Sequence, residues 1–341
     1  MGFKAVATFY MPGLPYPDEV ITGIGGEFVK AMCRTEDEII QCGKDADAAT
    51  APTSVTPYTR RVFDSLPRCR ILASVGIGYE SIDLEAATEH GIVVTTVPDY
   101  CWEEVSDHAL TLMMALGRKL FQVHNAVLKG GWGTTPDVRR GILPPMFRFK
   151  GQTLGVIGFG SIGRTLALKA RGLGMQAVAY DPFASREVMQ MFGVRKGDME
   201  EVLRQSDYVS LHAALTPENT HMLRREHFRM MKPTAYLINT ARGPLVDEVA
   251  LIQALRDKVI AGAGLDVMDQ EPPQKDNPLM GMENVILSGH SAQFSDESEL
   301  ELWRKPLEEI ASLMQGKWPR YVVNPQVRAR YEEKWGKLSK V

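Results

Sequence analysis

The chain has 341 residues, 24% of them charged, with a formal net charge of −3. That length supports two domains, each with a core of its own, and the near-neutral balance offers no basic field for nucleic acid or a membrane surface. No apolar stretch reaches the length of a membrane span and no basic-then-apolar leader opens the sequence, so the expectation is a cytoplasmic protein without membrane or nucleic-acid partners.

In chain order, short apolar runs at 4–8, 46–51, 70–75 and 92–95 read as strands, with helices at 57–65 and 84–89. Val75-Gly76-Ile77-Gly78 places a glycine turn at the carboxyl end of the third of these strands, where open α/β sheets bind ligands. Residues 103–120 form an amphipathic run suited to a connecting helix. The stretch 129–150 is rich in Gly, Pro, Trp and Arg and long for a plain loop, so it is expected to pack on a partner subunit or on the active-site cleft.

The most specific motif follows. The apolar run 153–157 leads into Gly158-Phe159-Gly160-Ser161-Ile162-Gly163, a helix-like segment from Arg164 to Arg171, a second apolar run at 176–180, and Asp181. Strand, glycine turn, helix, strand and terminal acid make a dinucleotide-binding unit. Gly158 permits the tight turn, Gly160 admits a pyrophosphate close to the backbone, and Gly163 lets the helix pack on the strand. The first helical N–H groups, from Ser161 onward, face the phosphates. Asp181 is placed to accept hydrogen bonds from the adenosine ribose and to repel a 2′-phosphate, which favours NAD over NADP; the competing reading makes Asp181-Pro182 a simple loop opening.

The rhythm continues with strands at 207–211, 234–239, 260–267 and 284–288 and a helix at 247–257, so a parallel sheet covered on both faces is expected. Residues 297–315 read as a helix in which Pro306 should produce a kink or start a second helix, and the last twenty residues read as a return across the first domain. Cys33, Cys42, Cys69 and Cys101 show no CxxC spacing and suit a reducing compartment. The seven histidines form no metal-type pair, and no metal is expected.

Three side chains beyond strand ends suit hydride-transfer chemistry. Arg242, in Asn239-Thr240-Ala241-Arg242-Gly243, can grip a carboxylate with paired hydrogen bonds. His290 can exchange a hydroxyl proton, and Glu271 can fix its tautomer. His212, after the strand at 207–211, is a candidate cofactor contact. Tyr79, Tyr100, Trp132 and Phe147 either narrow a substrate pocket or belong to the core.

With the 158–163 fingerprint, the 239–246 segment NTARGPLV, Gly264-Leu265-Asp266-Val267, Glu271-Pro272 and His290, the whole chain resembles the D-isomer-specific 2-hydroxyacid dehydrogenase family. The resemblance implies two Rossmann-like, doubly wound parallel-sheet domains, with the NAD-binding domain (103–295) inserted in a flavodoxin-like substrate domain (1–102 and 296–341). It implies Arg242 as substrate clamp, His290 as acid/base and Glu271 as its partner. Cofactor contacts follow at Thr240, Ala241, Arg242, Asp266 and His290, and the backbone around Val75, Gly76 and Ile77 would complete the carboxylate site with Arg242 and His290. A homodimer is also implied.

Within the family, residues 97–110 look closest to the branch of the C-terminal-binding corepressors and their bacterial relatives. Gly289 and Gln293 stand where that branch often has Pro and Trp, so the substrate is not inherited from it. The alternative to an enzyme is therefore an NAD(H)-sensing interaction protein like those corepressors.

Overall fold

The computed structural model describes residues 2–52 and 57–338. The chain divides into two compact units, one made of Met1–Tyr100 and Ser295–Val341, the other of Cys101–Phe294.

In the first unit, β1 (Lys4–Ala7), β2 (Glu27–Lys30), β3 (Ala48–Ala51), β4 (Ile71–Ser74) and β5 (Val93–Thr95) form a parallel sheet in the order β2-β1-β3-β4-β5. Alternate residues go to opposite faces. Val6, Ala49, Leu72 and Val94 pack on one core, and Ala5, Ala7, Ala48, Ile71 and Ala73 on the other. The return of the chain is visible here, because Asn324 pairs with the open edge of β5, accepting the Val94 N–H at 2.9 Å and donating to the Ile92 carbonyl at 3.0 Å. Pro306 starts no second helix. Asp296–Met314 runs as a single helix through it, with Trp303, Pro306, Leu307 and Ile310 all buried.

In the second unit, β6 (Thr153–Ile157), β7 (Gln176–Tyr180), β8 (Arg195–Lys196), β9 (Tyr208–Leu211), β10 (Tyr236–Asn239), β11 (Gly262–Leu265) and β12 (Val285–Leu287) form a seven-stranded parallel sheet. Its order is β12-β11-β10-β9-β6-β7-β8, so the winding reverses between β6 and β9. Helices on both faces bury an almost wholly apolar set of strands, as a parallel sheet requires. The helix Glu248–Arg256 begins where Asp247 accepts the Ala250 N–H, a cap that contributes about 1 kcal/mol.

The connecting helix is shorter than its sequence pattern suggests. It spans Trp102–Gly117, and a second helix, Leu120–Leu128, follows after Lys119 takes a left-handed turn (φ 50°). Gly117 is where the first must stop carrying side chains, since a Cβ there would lie 2.2 Å from the Tyr208 hydroxyl. The 129–150 stretch is anchored within its own unit. Lys119 Nζ donates to the carbonyls of Ile142 and Pro144, and the Phe149 ring stacks on Tyr208 at 5.6 Å. Among the described residues, Cys33, Cys42, Cys69 and Cys101 form no disulfide.

Candidate active site

Because every strand of the second unit is parallel, all the segments that follow strands gather at one edge of the sheet. The glycine turn sits at the reversal point. Gly158 has φ 92°, and a Cβ there would come within 2.5 Å of the Ala213 nitrogen, so the turn presses directly on the segment after β9. At Gly163 a Cβ would meet the Gly158 carbonyl oxygen at 2.3 Å. A Cβ at Gly160 would meet nothing within 4 Å. The fingerprint thus divides its labour: two glycines allow protein to approach protein, and the third faces open space.

Gly160 caps the helix Ser161–Gly172 without a side-chain acceptor, so the amides of Ser161, Ile162 and Gly163 present the positive end of the helix to that space. These features fit a dinucleotide pyrophosphate. So does Thr240, just past β10, whose hydroxyl is buried with no hydrogen-bond partner among the described residues.

Asp181 follows β7 and has a structural task besides any ligand. One oxygen accepts the Phe159 N–H inside the glycine turn at 2.7 Å. The other accepts the Phe183 and Ala184 N–H groups at 2.7 and 3.1 Å. A carboxylate has roughly four acceptor sites, so capacity remains for a ribose hydroxyl.

After β10, Asn239 shapes the Arg242 loop. Its side-chain oxygen accepts the Ala241 N–H at 3.0 Å and its amide donates to the Arg242 carbonyl at 2.9 Å. Arg242 Nη1 donates to the Ala241 carbonyl at 2.8 Å. The next residue has to be glycine, because a Cβ on Gly243 would sit 1.9 Å from the Met268 carbonyl oxygen. The loops after β10 and β11 are thereby pressed together.

That contact continues into the histidine pair. Glu271 Oε1 accepts the Met268 N–H at 3.0 Å, and Oε2 lies 2.6 Å from His290 Nδ1. An ionised carboxylate only accepts, so Nδ1 carries the proton and Nε2 is left to exchange one with a ligand. Asp266 is 3% exposed and is engaged by the loop that carries His290. In the first unit, Val75 and Gly76 (φ 121°) follow β4, where the Gly76 carbonyl accepts the Val97 N–H at 2.8 Å. Tyr79, Trp132 and Phe147 are exposed surface aromatics.

His212 lies after β9 with Nε2 2.8 Å from Ser210 Oγ. Burial of the imidazole lowers its pKa to about 3, so it is neutral in the folded protein. Between about pH 3 and 6.5 the unfolded chain therefore binds one more proton here than the folded one, and stability falls as pH drops through that window. Between pH 7.5 and 5, wild type should lose about 2 kcal/mol more than His212→Gln, at roughly 1.4 kcal/mol per unit below the free histidine value. Urea unfolding at the two pH values measures it, and equal losses in both proteins would refute the assignment.

Sequence reasoning assigned no role to two groups at this edge. They are Ser288, just past β12, and His108, on the helix Trp102–Gly117, whose side chains meet at 2.8 Å. The available signal was a histidine four residues before Leu112, on the helix face that is otherwise apolar.

A parallel sheet with a glycine-turned helix N-terminus at its reversal point and an acid beyond the second strand defines a Rossmann-type dinucleotide-binding protein. Residues 110–292 match the model of the D-isomer specific 2-hydroxyacid dehydrogenase NAD binding domain. A glyoxylate reductase of Korarchaeum cryptofilum is 38% identical over 291 residues, covering 85% of this chain and 86% of that protein. A D-3-phosphoglycerate dehydrogenase of Methanocaldococcus jannaschii is 36% identical over 320 residues, 92% of this chain and 58% of that one. Among solved structures, the holo form of Rhodotorula graminis D-mandelate dehydrogenase superposes with a TM-score of 0.86 at 27% identity, covering 95% and 98% of the two chains. The chain belongs to the D-isomer specific 2-hydroxyacid dehydrogenase family, and its cofactor is NAD.

Proposed function

We propose that this protein is a cytoplasmic enzyme interconverting a D-2-hydroxyacid and its 2-oxoacid, with a small 2-oxoacid such as glyoxylate as the substrate class to test first. The observation that carries the reading is the 2.6 Å contact between His290 Nδ1 and Glu271, which leaves Nε2 as the proton-exchanging atom. NAD, when bound, gives or takes the hydride at the substrate C2. During reduction His290 Nε2–H donates a proton to the carbonyl oxygen; during oxidation neutral Nε2 accepts the hydroxyl proton. Arg242 holds the substrate carboxylate by a planar two-point grip. The family resemblance puts Thr240 and Ala241 in contact with the cofactor, and the fingerprint amides would hold its pyrophosphate.

The test is NADH oxidation against 2-oxoacids from glyoxylate to aromatic acids. Turnover of at least one is expected, and Arg242→Lys should raise KM for it and also lower kcat. Tight NADH binding with turnover of none would instead favour the sensor reading.

A homodimer is part of the proposal. The helix Leu120–Leu128 (LFQVHNAVL) buries none of its residues, and Leu120, Phe121, Leu128 and Trp132 are 52–72% exposed. An apolar helix left in water is costly at about 25 cal/mol per Å², and a second copy of the chain offers a matching surface by symmetry. Light scattering at micromolar concentration should give twice the chain mass, and Leu120→Glu combined with Leu128→Glu should halve it. A monomeric wild type would refute the assembly.

A further inference from the structure

The loop carrying His290 is held from one residue. The Asp266 main-chain carbonyl accepts the His290 N–H at 2.6 Å. Asp266 Oδ1 accepts the Ser288 hydroxyl at 2.7 Å and the Ser291 N–H at 2.9 Å, and Oδ2 accepts the Ala292 N–H at 3.1 Å. The loop requires tethering of this kind because Gly289 and His290 are both left-handed, with φ 65° and 58°. For a histidine that conformation is unfavourable and persists only where its surroundings impose it.

A second anchor comes from the helix Trp102–Gly117. Gly264 lets this helix lie close on β11, for a Cβ there would be 3.0 Å from Leu112 Cβ. One turn earlier on the same face, His108 Nε2 lies 2.8 Å from Ser288 Oγ and 3.7 Å from Asp266 Oδ1. The direction of these bonds follows from counting hydrogens. Asp266 only accepts, so the single hydroxyl hydrogen of Ser288 is spent on it. Ser288 Oγ must then accept from His108, which therefore carries its hydrogen on Nε2. The chain of donors runs His108 to Ser288 to Asp266, and Asp266 in turn holds His290, Ser291 and Ala292.

We propose that His108 is a positioning residue for the His290 turn, acting through Ser288 and Asp266 and touching neither substrate nor cofactor. The inference rests on the reading of His290 as the proton-exchanging group. Removing the Nε2–H frees the Ser288 hydroxyl to rotate off Asp266 Oδ1. The left-handed pair then loses part of what imposes it, and His290 Nε2 is aimed less well at the reacting oxygen. A misaimed proton donor lowers kcat while leaving ground-state binding in place.

The test compares His108→Leu, His108→Gln and Ser288→Ala in the full-length protein with NADH and the best 2-oxoacid of the panel. His108→Leu and Ser288→Ala should each lower kcat about 10-fold, with KM and the NADH Kd within about twofold of wild type. His108→Gln restores an N–H at the position of Nε2 and should return kcat to within about threefold. A second readout needs no activity. Amide hydrogen exchange at 290–292 should quicken in His108→Leu and Ser288→Ala and recover in His108→Gln. Unchanged kcat with unchanged exchange in Ser288→Ala would overturn the proposal, as would His108→Gln behaving like His108→Leu. If the wild type turns over no 2-oxoacid, the proposed function fails and the exchange rates alone decide this inference.

Discussion

His290→Ala should lower kcat about 10²–10⁴-fold, the usual scale for a positioned acid/base, while NADH binding stays nearly intact. Nδ1 is committed to Glu271, whose other oxygen is fixed by the Met268 N–H, so the imidazole is oriented and its Nε2 side is the one available for exchange. The two directions of reaction need opposite charge states of that ring, so their rates should respond to pH in opposite senses wherever proton transfer limits turnover. Glu271→Gln should lower kcat less than His290→Ala does, because the ring remains and only its orientation and charge support are weakened. Single-turnover kinetics with NADH titrated separately distinguishes chemistry from binding. Near-normal turnover by His290→Ala would refute its assignment whatever the family.

NADH should be preferred to NADPH by about one to three orders of magnitude, on the order of 1.4–4 kcal/mol. The Asp181 carboxylate lies at the end of the second strand of the dinucleotide unit, where it would face a 2′-phosphate with like charge. The structure adds a condition to the experiment. Asp181 also accepts three backbone N–H groups, one of them from the glycine turn, so Asp181→Ala loosens the turn as well as removing the charge. Absolute affinities should therefore fall for both cofactors, and the informative quantity is their ratio, which should shrink towards one. Equal use of NADH and NADPH by the wild type would overturn the role given to Asp181.

Much of the dinucleotide unit was legible because its signals are local. Glycine spacing, a strand before it and an acid after the next strand are all properties of about thirty consecutive residues. The helix Glu248–Arg256 was equally readable, since Asp247 and the apolar spacing behind it lie within a few turns. The strand Glu27–Lys30 was not. It is short, charged at both ends and only partly buried, with Phe28 and Val29 packed against opposite cores, as an edge strand can be, and it lacks the apolar run that marked its neighbours. The helix Glu36–Gly43 carried a readable capping box at Thr35 and Glu38 that went unused. At Pro306, local propensity allowed a second helix that does not form. An interior proline costs a helix about 3 kcal/mol, yet burial of Trp303, Leu307 and Ile310 on the same face holds the segment in one piece.

The sequence by itself determined the family, the parallel α/β architecture, the cofactor class and the identity of the candidate side chains, since each rests on residue type and short spacing. Only the tertiary structure decided how those side chains are held. The Glu271–His290 contact spans 19 positions, the Asp266–Ala292 tether 26 and the His108–Ser288 bond 180. Such bonds depend on which strands become neighbours and on how closely a helix lies upon them, here through the glycine at 264 that admits Leu112. No local pattern encodes that distance, because it is set by the packing of the whole sheet.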